Sequence, residues 1–187
     1  MAVEHNTKNY SVFQVAMNLT IACLISGAII GGTYFITEPV TLQKNIILKN
    51  QAMKALVKDA ESFKTVDGKK DWFVAQKDGK VVAYVVPAES KGFDGEIKML
   101  VAVTTDGKII DYDILSSNET PGLGDNASKE PFKKQFKDKK IEDLIVVKDP
   151  SNINNIQAIT GATISSRAVT KGIKEAAEQV VEYTGGK

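Results

Sequence analysis

The chain has 187 residues, 24 of them Lys or Arg and 23 Asp or Glu, with one His and one Cys, for a formal net charge of +1. That balance, with no long block of one sign, excludes an electrostatic arm for nucleic acid. The single Cys23 excludes an intrachain disulfide or an iron–sulfur cluster ligated by this chain alone, and the lone His5 excludes a histidine metal site or triad, so redox chemistry has to come from a bound cofactor.

Taken in chain order, the first element is apolar. Residues 12–36 contain no charge; as a helix at ~1.5 Å per residue they reach about 37 Å, more than a ~30 Å hydrocarbon core. The pattern predicts a transmembrane helix over 12–36, preceded by a short N-terminus over 1–11. Thr37-Glu38-Pro39 is a poor cleavage site, and the run is long for a signal peptide, which favours a retained anchor. Gly27 and Gly31 form a Gly-x-x-x-Gly pair, read equally well as a packing face or as ordinary glycine usage in such helices. Lys8 before the span and Lys44 and Lys49 after it do not orient it by charge.

Pro39 suits a first helical turn, and Leu42, Ile46, Ile47, Met53, Leu56 and Val57 recur at helical spacing, predicting a linking helix over 37–66. Strand patterns follow from residue 67. Trp72–Gln76 and Val81–Val86 flank the hairpin dipeptide Asp78-Gly79; Ile97–Thr104 and Ile109–Leu115 flank Asp106-Gly107. These predict an antiparallel meander. A short helix is expected from Phe132 to Phe136, and short strands at Leu144–Val147 and Ile153–Ile159. From Thr163, Ile164, Ala168, Val169, Ile173, Ala176 and Val180 form the apolar stripe of a final helix. The fold class is α+β: an antiparallel, partly curled sheet with packed helices behind one membrane helix.

Two segments carry candidate chemistry. In Thr160-Gly161-Ala162-Thr163, a small-residue turn meets a helix start, whose free N–H groups and partial positive charge suit a phosphate. Thr163 can cap that helix or be the atom to which a phosphate is joined. Ser165 and Ser166 read as caps or as donors to phosphate and ribityl oxygens, and Arg167, one turn on from Thr163, as a phosphate screen or a solvated cation. Glu119-Thr120-Pro121-Gly122-Leu123-Gly124 has no apolar periodicity and reads as a constrained loop, a surface turn or a ligand wall. Trp72, Phe93 and Phe132 read as core aromatics. No residue reads as a catalytic base or nucleophile for a separate substrate, and no metal site is expected.

The first segment resembles the Ser/Thr-Gly-Ala-Thr flavinylation motif of the FMN-binding domain family, and the second that family's Glu-Thr-Pro-Gly-Leu-Gly loop. With the apolar span ahead of them, the pattern is similar to the G-subunit family of Rnf electron-transport complexes, with the C-subunit family of the sodium-pumping NADH:quinone reductase a close second. Gln157 stands where the family carries an acidic residue six positions before the modified threonine. The resemblance implies an FMN-binding domain over 67–187, with FMN joined by a phosphoester to Thr163 through a flavin transferase. Thr160, Gly161, Ala162, Ser165 and Ser166 would surround the phosphate, and Glu119, Thr120, Pro121, Gly122, Leu123 and Gly124 would lie near the flavin. It further implies a single-pass protein of the cytoplasmic membrane, residues 1–11 inside and the flavin domain on the outer face. The chain would relay electrons among the other membrane subunits of an ion-translocating ferredoxin:NAD oxidoreductase rather than catalyse alone. A non-redox assembly module and a single-chain flavin reductase are the competing expectations.

Overall fold

The structure, a computed structural model, describes residues 11–149 and 151–185; most of the expected N-terminal segment 1–11 lies outside them. The chain divides into two units between Ile47 and Leu48. Helix α1 (Val12–Leu56) runs past that boundary; its part in the first unit carries the apolar stretch Val12–Glu38, none of it buried, long and apolar enough to cross a membrane. Leu19, Leu24, Ile29 and Phe35 are all exposed, as expected of a helix whose apolar surface is meant for lipid or another membrane helix. No second helix begins at Pro39. A proline deletes one backbone bond and crowds the preceding turn, but α1 remains helical through it.

α1 ends at Leu56, ten residues short of the boundary predicted at 66, because Ser62–Thr65 forms a strand, β1, that exists by pairing with β2 (Phe73–Lys77). β3 (Lys80–Lys91), β4 (Glu96–Val103) and β5 (Ile109–Ser116) complete an antiparallel sheet in the order β1-β2-β3-β4-β5, open rather than closed into a barrel. The β2–β3 turn has positive φ at both Asp78 (51°) and Gly79 (73°), as an Asp-Gly hairpin requires. β3 outruns its predicted end at Val86: Pro87 to Lys91 has a loop-like composition but pairs in register with Leu100 to Glu96 of β4. Past Val85, β3 pairs with β4 alone, which tolerates Pro87.

The sheet is covered on both faces. Ile97, Met99, Val101 and Val103 of β4 point into a core shared with the last helix, while Leu100 and Ala102 point into a second core with Ala52, Met53, Leu56 and Val57 from the end of α1. Burial on both sides explains why β4 is nearly continuous in apolar residues instead of alternating. The last helix, α3 (Thr163–Thr184), lays Val169, Ile173, Ala176, Ala177 and Val180 on β3 and β4 and stops at Gly185, whose φ of 71° is the usual left-handed helix end.

Between sheet and α3, a 3₁₀ turn (Gly124–Ser128), α2 (Glu130–Lys133) and a second 3₁₀ turn (Lys134–Phe136) take the place of the single predicted helix. Tyr112, Phe132 and Phe136 stack edge-on at 5.1 and 5.2 Å, and the Tyr112 hydroxyl donates to the Ala127 carbonyl. The two strands expected at 144–147 and 153–159 shrink to β6 (Val146–Val147) and β7 (Ile156–Gln157), paired in parallel.

Candidate functional site

Three segments distant in sequence meet at one cleft of about 430 Å³: the β3–β4 turn at Phe93, the loop Glu119–Gly124, and the opening of α3 from Gly161 to Ser165, with Lys148 at one side. A buried carboxylate holds them together. Glu119 Oε1 accepts from the Phe93 N–H at 2.7 Å and the Asp94 N–H at 3.1 Å, and its Oε2 accepts from the Ser165 hydroxyl. Only 6% of Glu119 is exposed. A carboxylate taken out of water has to be surrounded by donors, and this one receives three from two segments.

The glycines beside Glu119 follow from the same crowding. A methyl group on Gly92 would reach Ile97 Cδ1 at 2.8 Å and Glu119 Cδ at 3.0 Å; one on Gly124 would reach Ser165 Oγ at 2.6 Å and Glu119 Cβ at 2.8 Å. Gly122 and Gly161 instead serve the backbone, both at φ 78°.

At the opening of α3, Ala162 occupies the N-cap position, supplies no side-chain cap, and is followed by no acidic residue in the first turn. Both neighbouring serines are turned inward. Ser165 donates to Glu119, while the Ser166 hydroxyl accepts from the Ile159 N–H and donates to the Ala162 carbonyl, each at 2.9 Å. Half-buried Thr163 lines the cleft, and its hydroxyl has no hydrogen-bond partner among the described residues. The first-turn N–H groups thus keep the partial positive charge of an uncapped helix end.

Of the residues singled out in the sequence, Glu119, Thr120, Leu123, Gly124, Gly161, Ala162, Thr163 and Ser165 line this cleft. Exposed Thr160, Pro121 and Gly122 flank it without lining it, and Ser166 lies fully buried beneath it. Exposed Arg167 does not line the cleft; the cation that does is Lys148. Gln157 faces elsewhere, donating through its side-chain amide to the Asp149 and Asn152 carbonyls, both at 2.6 Å. Trp72 and Phe132 are core aromatics as expected, but Phe93 is not. It is 68% exposed at the cleft, in a tight turn whose Phe93 and Asp94 N–H groups are bound by Glu119. Ile164, 55% exposed, joins it. Sequence reasoning placed Phe93 and Ile164 in the core and passed over Lys148; the glycine-bearing turn Gly92–Gly95, which reads as a lesser contributor to a ligand wall, was the available signal, since a core aromatic is out of place in it.

A cleft of this size, apolar at its rim and bearing a free hydroxyl at an uncapped helix start, fits a phosphorylated ring cofactor. The FMN-binding domain family matches residues 92–178, which contain the whole cleft. The C subunit of the Na(+)-translocating NADH-quinone reductase from Parabacteroides distasonis has a similar structure, with a TM-score of 0.52 and 28% identity over 62% of this chain and 63% of that one. NqrC of Shewanella oneidensis, at 22% identity over 70% of this chain and 73% of its own, shares the fold with a TM-score of 0.52. Residues 92–178 therefore match an FMN-binding domain, and among the described residues one helix apolar enough to cross a membrane precedes it.

Full-length relatives narrow this further. The G subunit of the proton-translocating ferredoxin:NAD(+) oxidoreductase complex of Clostridium ljungdahlii is 62% identical over 95% of this chain and 96% of its own length. The G subunit of the Na(+)-translocating ferredoxin:NAD(+) oxidoreductase complex of Acetobacterium woodii is 31% identical over 87% and 88%. The chain belongs to the G-subunit family of ion-translocating ferredoxin:NAD(+) oxidoreductase complexes. A member of that family is one component of an oxidoreductase complex and not an independent catalyst.

Proposed function

We propose that this chain holds FMN through a phosphoester on the Thr163 hydroxyl, formed by a flavin transferase, and relays electrons between other subunits of a ferredoxin:NAD(+) oxidoreductase complex from the outer face of the cytoplasmic membrane. The observation that carries this reading is the uncapped opening of α3. Ser165, Ser166 and Glu119, the side chains nearest it, are engaged with one another or with the backbone, while the Thr163 hydroxyl is left free in the cleft. An N-cap there would contribute about 1 kcal/mol; the chain forgoes it and keeps the donors for an external anion.

The roles of the residues follow from their places. Thr163 is the attachment atom, and the α3 amides stabilise the phosphate charge. Glu119 fixes the relation of the 92–95 turn to the helix start. Phe93, Leu123 and Ile164 offer apolar surface to a flat ring, and Lys148 supplies positive charge. When bound, FMN supplies one- and two-electron transfer that no side chain here can provide. A covalent tether keeps the cofactor at high local concentration on a side of the membrane where a dissociated one would be lost.

The test uses the full chain made with a flavin transferase or taken from its native membrane. Denatured protein should run as a fluorescent band, with a mass raised by one FMN less one water. Thr163→Ala should lose both signals. A label that persists in Thr163→Ala sinks the assignment.

A further inference from the structure

A second concavity lies at the opposite end of the sheet. It is a groove of about 740 Å³ between the last residues of α1, the β2–β3 hairpin, the start of β5 and the helical stretch 130–137. Strand direction sets the separation. β3 passes Val82 in the groove and reaches Lys91 beside the cleft, nine residues later, which at ~3.3 Å each is about 30 Å.

Five lysines line this groove, Lys58, Lys77, Lys133, Lys134 and Lys137, against three acidic residues, Asp59, Asp111 and Glu130. Lys133 shows what the site does with an ammonium group. It lies 3.5 Å from the Asp111 carboxylate and 5.6 Å from the centre of the Tyr112 ring, with 15% of its side chain exposed. Among the described residues the other four lysines form no ion pair. They come from three separate elements, so local sequence does not explain why they gather on one concave wall. Like charges collected on the walls of a groove repel one another and focus a positive potential into it; an anion relieves both effects.

The floor helps to identify the occupant. Leu56 and Val57 are already buried in the core, leaving exposed Ala55 and half-buried Val82 and Ile110 as the apolar floor, ringed by the five lysines. A row of ammonium point charges over a shallow floor suits carboxylates spaced along an extended or helical segment. We propose that this groove docks an acidic segment of another protein subunit. The docking end and the flavin end are then different ends of one sheet, so a relay protein can stay anchored to one neighbour while its cleft stays open to others. The groove itself does not depend on the flavin assignment.

Zero-length carbodiimide coupling tests this on the complex purified from native membranes, because it joins lysine amines only to carboxylates in contact. Peptide mapping should find Lys58, Lys77, Lys134 or Lys137 joined to Asp or Glu of another subunit, in a yield that falls as salt is raised. Replacing all four by glutamine removes four screened contacts, each about a factor of two. Retention of the chain in the complex should therefore weaken by roughly fifteen-fold, while the flavin band per mole of chain and the Trp72 unfolding transition stay unchanged. The proposal is overturned if cross-links reach only this chain's own Asp59 and Glu130, or if the variant is retained like the wild type. It is equally overturned if the variant loses only its binding to vesicles of anionic lipid. Loss of the flavin band from Thr163→Ala with cross-links intact would leave the groove standing; a flavin band kept without cross-links would leave only the cleft assignment.

Discussion

Replacing Glu119 by alanine strands three donors at once, and the structure gives the size of the effect. Ser165 is 2% exposed, so its hydroxyl finds no water when the carboxylate is gone; an orphaned buried donor costs about 1–3 kcal/mol. The Phe93 and Asp94 amides, at 2.7 and 3.1 Å, belong to exposed residues, and water can replace the carboxylate there at about 0.5–1 kcal/mol each. Relief of the carboxylate's own burial offsets part of this, leaving a net loss of about 2–4 kcal/mol, a large fraction of a typical 5–15 kcal/mol stability. Glu119→Gln keeps one oxygen for the two amides, and the Ser165 hydroxyl can rotate to accept from the new NH₂, so its cost should be about 1 kcal/mol. Denaturant unfolding of the full chain in detergent, followed by Trp72, the sole tryptophan and a buried one, measures both variants. The rate of flavin attachment, read beside it, should fall in the same order, wild type above glutamine above alanine. If alanine unfolds within about 0.5 kcal/mol of wild type and still loads flavin at full rate, Glu119 is not the residue that assembles the cleft.

Gly124→Ala should cost about 1–3 kcal/mol and slow flavin loading, because its methyl group would lie 2.6 Å from Ser165 Oγ. Gly122→Ala, at φ 78° with open space around it, should cost only about 1 kcal/mol, so equal unfolding midpoints for the two would refute the packing argument. Tyr112→Phe removes the donor to the Ala127 carbonyl and should lower the urea midpoint by the equivalent of about 1–2 kcal/mol with an unchanged m-value. Burial holds the Asp113 carboxyl above its ordinary range, with Lys133 opposing and Asp111 adding to the shift. The folded state therefore binds its proton more readily than the unfolded one, and stability falls as pH rises through that window. Asp113→Asn should accordingly stabilise the chain near neutral pH by an amount that shrinks toward about pH 4; a pH-independent difference between the two proteins would refute this.

The elements legible in the sequence are those whose pattern is set locally. The apolar span, both Asp-Gly turns and the stripe of α3 from Ala168 onward appear where spacing puts them, and α3 begins at Thr163 as predicted, but Ile164, read as part of that stripe, is exposed at the cleft. β1 and the far half of β3 were not legible, because Ser62–Thr65 and Pro87–Lys91 owe their extended form to partners in β2 and β4 and not to their own composition. The same division runs through the site. The loop Glu119–Gly124 and the turn Gly161–Thr163 announce themselves by residue type, yet nothing in either says that one carboxylate would span 26 residues back to Phe93 and 46 forward to Ser165. Serines 165 and 166 show the limit of local reasoning. At a helix opening both read as caps or as phosphate donors, but once Glu119 and Ile159 are in place both are engaged within the protein. That outcome strengthens the case for Thr163. Satisfying the serines internally leaves the helix end without a cap, and leaves the Thr163 hydroxyl, at the first helical residue, where an incoming phosphate would be met by the amides of α3.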